Sequence, residues 1–234
     1  MVNKKLPHEI KSEETKNKIF TAVESMLSEY DFKYLTVRNI CEEAQVAYGS
    51  FYHHFLNKEN LLFIYTNRLF IDNLEKNPYP EWLAPEDFIK HSLWYVAVLG
   101  HFCEAIGRDL TGYIHKNSPH SIFKATIDKE IRQILREAGE MGFLDELRNK
   151  MNRNAVELIV KDMEILCDGT LMWWSSTEDE LETIHETLEH LCFNMLYSFS
   201  SDQYKHHDFP HFLVTEFPEF EGSISIQNVP IPKK

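Results

Sequence analysis

The chain has 234 residues, with 24 Lys and Arg against 37 Asp and Glu and a formal net charge of −13. That length holds one or two domains and a substantial core. The charge excludes a uniformly basic nucleic-acid binder, and the longest apolar run, residues 93–99, is far too short to span a bilayer. Few glycines, many Leu, Ile, Phe and Met, and no sustained alternating pattern predict an all-α fold. Residues 1–18 are polar and charged, so no signal peptide is expected and a cytoplasmic location is. Cys41, Cys103, Cys167 and Cys192 lie far apart in sequence, without CxxC spacing, and read as reduced core thiols.

Residues 1–11 read as a frayed arm carrying Lys4, Lys5 and Lys11. A first helix is expected from about Ser12 to Tyr30-Asp31, with Glu13 and Glu14 in its first turn and Ile19, Phe20, Val23, Met26 and Leu27 as its buried stripe. Thr36 is a natural N-cap, and Val37, Ile40 and Ala44 follow at helical spacing. The period breaks at Gln45-Val46 and resumes with Phe51 and Phe55 on a second short helix beginning near Ala47. Two short helices with one apolar face each, joined by a tight turn, make a helix-turn-helix, whose second helix enters the DNA major groove. Tyr48, Gly49 and Ser50 lead that helix, where small residues let backbone approach base edges. Tyr52, His53 and His54 offer donors to phosphate oxygens. Lys58 follows Asn57, a candidate N-cap, and a cation beside a helix N-terminus suits a phosphate. Thr36 and Arg38 complete the candidate DNA-contacting set; Arg38 is placed to reach either a base edge or a phosphate. Residues 1–58 hold eight basic and eight acidic side chains, so the acidic excess lies entirely beyond them.

The run T-V-R-x-I-C-x-x-A-x-V-x-x-G-S-F-Y-x-H-F-x-x-K-E-x-L-L, residues 36–62, resembles the DNA-binding domain of TetR-family transcriptional regulators. The resemblance covers about the first quarter of the chain; the rest is similar only in size and helical layout. One departure stands out: the family usually has Gly in the turn, where this chain has Gln45, an αL position that strains a bulky residue. The resemblance implies three parts: a helix-turn-helix DNA-binding domain over residues 1–56, a helical effector-binding and dimerisation domain over 57–200, and a C-terminal tail over 201–234.

In the remaining chain a helix is predicted over 58–76, ended by Asn77-Pro78-Tyr79-Pro80. The next begins after Pro85 with Glu86 and Asp87 in its first turn and is apolar nearly all round from 88 to 103, which predicts burial on every side. Shorter helices are expected over 109–116 and from about 120 to 139–142, then long ones over 154–174 and 179–199. Leu181, Ile184, Leu188, Leu191, Met195 and Phe199 form a coiled-coil-like seam, with Glu180, Glu182, Glu186 and Glu189 outside it. The resemblance implies that these last two helices pair with a second copy. Independently, one helix-turn-helix reads only a half-site, and a dimer reaches two. It also implies an effector pocket around the central helix, assigned here to Phe70, Trp94, Val98, His101, Phe102, Tyr113, Phe123, Ile127 and Trp173, with His101 as the polar anchor. For any one of these, ordinary core packing is the competing reading.

In the tail, His206, His207 and His211 with Asp202 and Asp208 allow a metal site, but the spacing favours a polar tail, so no metal is assigned. No GxGxxG, P-loop, GxSxG or HExxH occurs; no catalytic residue or cofactor is assigned. The expectation is a homodimeric, effector-responsive regulator, more often a repressor in the family, that binds a palindromic double-stranded operator and no membrane. The alternative is constitutive DNA binding with a body that holds a partner protein. A cavity of ~300 Å³ or more beside the central helix favours the first.

Overall fold

A computed structural model of the chain describes residues 7–76, 79, 87–118, 121–145, 155–177 and 183–206. They form two compact units, one running to Arg68 and the other beginning at Leu69, with eleven α-helices and no extended strand among the described residues. The fold is all-α, with a helix-turn-helix head and a larger helical body.

The head contains α1 (Pro7–Glu29), a 3-10 turn (Phe32–Tyr34), α2 (Val37–Glu43), α3 (Tyr48–His54) and the first half of α4 (Lys58–Lys76). Helix α1 starts five residues before the expected Ser12, so the last five residues of the supposed arm are helix; proline suits a first helical position because the missing N–H would be unsatisfied there anyway. Ile19, Val23 and Leu27 of α1, Ile40 of α2, Phe51 and Phe55 around α3, and Leu61, Leu62 and Tyr65 of α4 are buried together. Phe20 sits edge-on to Phe55 at 5.7 Å and near Tyr65 at 5.9 Å. Thr36 caps α2 as expected: its Oγ1 accepts the Asn39 N–H at 3.2 Å, while Asn39 Oδ1 accepts the Thr36 N–H at 2.7 Å. Gln45 occupies the left-handed turn with φ 53°, and Val46 N–H closes the turn on Cys41 O at 3.0 Å.

The body is built on α5 (Phe88–Ile106), followed by α6 (Arg108–Asn117), α7 (Ile122–Thr126), α8 (Asp128–Glu140), α9 (Ala155–Ser176), α10 (Ile184–Phe199) and α11 (Asp202–Lys205). Phe88, Leu93, Val96, Ala97, Leu99 and Cys103 of α5 are buried, in keeping with its apolar circumference. Asp87 is the cap of this helix and not part of its first turn; its Oδ1 accepts the Lys90 N–H at 3.1 Å. Helix α10 lies closest to α5: a Cβ on Gly100 would stand 2.5 Å from His185 Cα, so only glycine permits this approach.

Three expectations are corrected. The single helix over 120–142 is two, because Ile127 (φ −114°, ψ −3°) leaves the helical path, ending α7 and opening α8. The α10 seam is split: Ile184, Leu188, Cys192 and Leu196 fill the body's own core, while Leu191 and Met195 are half-buried. Glu189, expected on the outside, is buried. The four cysteines are free and buried, as expected, but Cys167 and Cys192 meet at 3.7 Å between α9 and α10. The start of the tail is not loose. Tyr204 is buried against Phe88 (4.7 Å) and Phe143 (5.6 Å), and its hydroxyl donates to Asp87 Oδ1 at 2.5 Å. Leu181, Glu180, Glu182, His207, Asp208, His211 and the rest of the tail lie outside the described residues.

Candidate nucleic-acid interface and effector cavity

Helix α3 has seven residues and two distinct faces. Phe51 is fully buried, and Phe55 just beyond the helix is nearly so. Opposite them, Tyr48, Gly49, Tyr52 and His53 are exposed, with Ser50 and His54 half-buried. The Tyr48 and Tyr52 rings stand 6.2 Å apart, and Tyr52 meets Phe51 edge-on at 5.3 Å, which stiffens a phenol that points to water. A Cβ on Gly49 would meet nothing within 4 Å, so no protein contact requires a glycine there. Burial, then the neighbouring His53 and Lys16 charges, lowers the His54 pKa and keeps that ring a neutral donor. Arg38 Nε donates to Glu42 Oε1 at 2.9 Å on the exposed side of α2. Such an open pair is worth little, so Arg38 is released to another anion cheaply. Asn57 caps α4 as expected, accepting the Asn60 N–H at 2.7 Å, and Lys58 is the first residue of that helix, half-buried. Thr36 is exposed, with its hydroxyl oxygen already accepting within the cap.

The body contains a cavity of about 500 Å³ bordered by Ile71, Leu74 and Glu75 of α4, Tyr79, Tyr95 of α5, and Lys124, Ala125, Thr126, Asp128, Lys129 and Glu130 of α7 and α8. Two of its bordering rings, Tyr79 and Tyr95, both stack on His91, at 3.8 and 5.8 Å, and Tyr79 meets Trp94 edge-on at 6.1 Å. Burial lowers the His91 pKa against the raising influence of Glu137. Burial and then the Glu130 charge raise that of Tyr95. Glu130 Oε2 is buried and accepts no hydrogen bond among the described residues. The site therefore pairs a flat aromatic surface with buried polar groups, which suits a planar or amphipathic small molecule.

Residues 19–63 match the family model of bacterial regulatory proteins, tetR family. Over that segment the chain carries the TetR-family pattern. No curated protein matches it in sequence. Among solved structures, RolR in complex with resorcinol is similar at a TM-score of 0.55 and 14% identity, covering 96% of this chain and 98% of that one. Thermus thermophilus FadR, a TetR-family repressor in complex with lauroyl-CoA, matches at a TM-score of 0.55 and 21% identity over 77% of this chain and 93% of its own. A transcriptional regulator from Streptomyces coelicolor A3(2) matches at 0.55 and 14% identity, over 79% and 96%. At these identities the likeness is one of fold.

Against that TetR-family frame, the residues expected to line the pocket fall differently. Phe70, Val98, Phe102, Phe123 and Ile127 are buried in the body core, Phe70 edge-on to Phe102 at 5.2 Å. Trp94 is buried and Tyr113 half-buried. His101 is no anchor of this cavity: it stacks on His185 at the α5–α10 contact. Trp173 is 47% exposed on α9. None of the nine borders the 500 Å³ cavity, yet Ile71, Tyr95, Lys124, Thr126 and Asp128 each stand one position from an expected residue. The missed residues are the less apolar neighbours of core positions. Trp173 belongs with Leu158, Ile165 and Met172, the other large apolar side chains exposed on α9. Positions 158, 165 and 172 recur every seven residues and so share one face of the helix.

Proposed function

We propose that this TetR-family regulator binds a palindromic operator as a homodimer and releases it when a small effector occupies the cavity between α4, α5, α7 and α8. The exposed leading end of α3 carries the reading: Tyr48, Gly49 and Ser50 face base edges, and Tyr52, His53, His54, Arg38, Thr36 and Lys58 hold phosphates. The second copy covers the α9 face, where Ile165 and Met172 are each 61% exposed, together with the half-buried side of α10. Apolar side chains of this size at heptad spacing favour a partner over water.

The mechanism is a population shift. An effector that prefers one spacing of the two reading heads changes DNA affinity by its differential affinity for the two spacings. Helix α4 is the element suited to carry this, because its residues border the cavity at one end and bear Lys58 at the other. Among the solved relatives, RolR is bound to resorcinol and Thermus thermophilus FadR to lauroyl-CoA, a planar phenol and an acyl thioester. The Tyr79 and Tyr95 rings that border the cavity support the planar class here. The cavity exceeds the ~300 Å³ that favours a small ligand over a partner protein in the body.

The test is a fluorescence-anisotropy titration of duplexes tiled across the DNA upstream of the gene, at two salt concentrations, with and without compounds that raise the melting temperature. Binding of one duplex as a dimer, weakened by a stabilising compound in the wild type and not in Tyr95→Ala, is expected. A protein that ignores every duplex in dilute salt overturns the reading.

A further inference from the structure

Two imidazoles and a carboxylate converge between α5 and α10, apart from the cavity and the reading head. His101 and Glu104 stand one turn apart on α5, and His185 lies in the first turn of α10. One ligating atom of each falls within 4.8 Å of the other two. The Glu104 oxygens lie 2.9 and 3.1 Å from His185 Nδ1, and Oε2 lies 3.4 Å from His101 Nδ1. The two rings stack with centroids 3.8 Å apart and planes inclined by 25°. All three residues are half-buried, and Glu189, one turn beyond His185, is buried and acts on it electrostatically. The glycine at position 100 is what allows His185 so close to α5.

A carboxylate and one imidazole would satisfy each other; the second ring makes the group unusual. Two basic rings share one carboxylate, and charging both would stack two cations. A divalent ion removes that conflict, because it takes both imidazoles neutral. Ligands about 2.1 Å from an ion stand about 3.0–3.4 Å from their neighbours in octahedral or tetrahedral arrangement, and one Glu104 oxygen, Oε2, stands 3.1 Å from His185 Nδ1 and 3.4 Å from His101 Nδ1, within that spacing. Two ligands at i and i+3 on one helix, facing a third on its neighbour, is how metal sites are built inside helical bundles.

We propose that His101, Glu104 and His185 bind a divalent transition-metal ion of the zinc class, with its remaining positions open to water. The mixed nitrogen and oxygen donor set suits Zn²⁺ or Co²⁺, whereas Mg²⁺ and Ca²⁺ take oxygen ligands. Parallel rings aim their nitrogens nearly side by side, so capture turns one ring out of the stack and displaces the proton that Glu104 shares with His185. The ion then ties the start of α10 to α5.

Full-length protein stripped with a chelator is titrated with Co²⁺, read by visible absorption, and then with Zn²⁺ in competition. One Co²⁺ per chain, displaced by Zn²⁺, and a Zn²⁺-dependent rise in melting temperature are expected. Losing an outer partner of a metal ligand already costs ~10–100-fold in affinity, so His101→Gln and Glu104→Gln, which remove direct ligands, should each weaken Co²⁺ binding at least tenfold. His206, His207 and His211 are the obvious competing group in the sequence, and replacing all three with Ala should leave binding unchanged. A histidine NMR spectrum needs no variant: Zn²⁺ should move the His101 and His185 ring signals. No Co²⁺ uptake, binding that survives both ligand variants, binding lost with the tail histidines, or unmoved His101 and His185 signals would each overturn the proposal.

Discussion

The head and the body use their side chains in opposite ways. In the head, function sits on residues that the fold leaves outside: Phe51 goes in, and Tyr48 and Tyr52 stay out. In the body, the candidate feature is a space bordered by half-buried residues such as Tyr95 and Glu130 and exposed ones such as Lys124. A face repeats with the helix period and so is written in the sequence. A space is a mismatch in packing among several elements, and no single period records it.

The comparison is broken most directly at Phe51. Truncation to Ala leaves a cavity at a fully buried site and should cost about 3–5 kcal/mol of head stability. Trp82, Trp94, Trp173 and Trp174 all lie beyond Arg68 and so report on the body alone. In Phe51→Ala the tryptophan fluorescence transition in denaturant should keep its midpoint while DNA binding is lost. A tryptophan midpoint that falls in parallel would show that the two units unfold as one.

The same contrast explains what was legible in the sequence. The capping residues Thr36 and Asn57 act locally, and with the apolar spacing they made the helix-turn-helix readable, while the left-handed turn at Gln45 followed from the family resemblance. The central α5 announced its burial by having no polar face. The break at Ile127 was hidden, because a β-branched apolar residue carries no stop signal. The residues that border the cavity were hidden because apolar periodicity selects what packs. It chose Trp94 and Phe123, the positions that fill the core, and passed over Lys124. The burial of Glu189 and the meeting of His101 with His185 depend on a close helix contact that Gly100 alone permits, and one glycine in an apolar helix does not say which helix approaches it.

The next largest effect tests the outer face of α9. If a second copy covers Ile165, then Ile165→Glu buries a charge in that interface. It should cost about 2 kcal/mol or more of association, shifting the dimerisation constant by roughly 30-fold. Sedimentation across a concentration series reads it, and the tryptophan unfolding midpoint serves as the control for folding. Ile165 is 61% exposed in the single chain, so an unchanged oligomeric state would place the interface elsewhere.

Gly49 separates stability from function in the head. Inside a helix Ala is favoured over Gly by up to about 1 kcal/mol, and a Cβ there meets nothing in the protein. Gly49→Ala should therefore leave the head as stable or raise its stability, while weakening binding to DNA that α3 approaches closely. Weakened binding with unimpaired stability assigns the glycine to the complex. Unchanged binding would move α3 further from the bases than proposed. Tyr52→Phe, by contrast, removes only a phosphate donor and should weaken all sequences alike.

The smallest effect probes the body through His91. Its ring lies between Tyr79 and Tyr95, and burial depresses its pKa in the folded chain. A base held neutral by folding contributes stability that is present above its unfolded pKa of about 6.5 and is lost as the pH falls below it, because only the unfolded chain takes up the proton there. Melting temperatures measured downward from pH 7, with chelator present throughout, should fall more steeply in the wild type than in His91→Phe, which keeps the stack and cannot titrate. Identical slopes would mean that protonated His91 is accommodated in the folded body. The aromatic stack would then be open enough to hydrate, and the planar, water-excluding ligand proposed for the cavity would lose its main support.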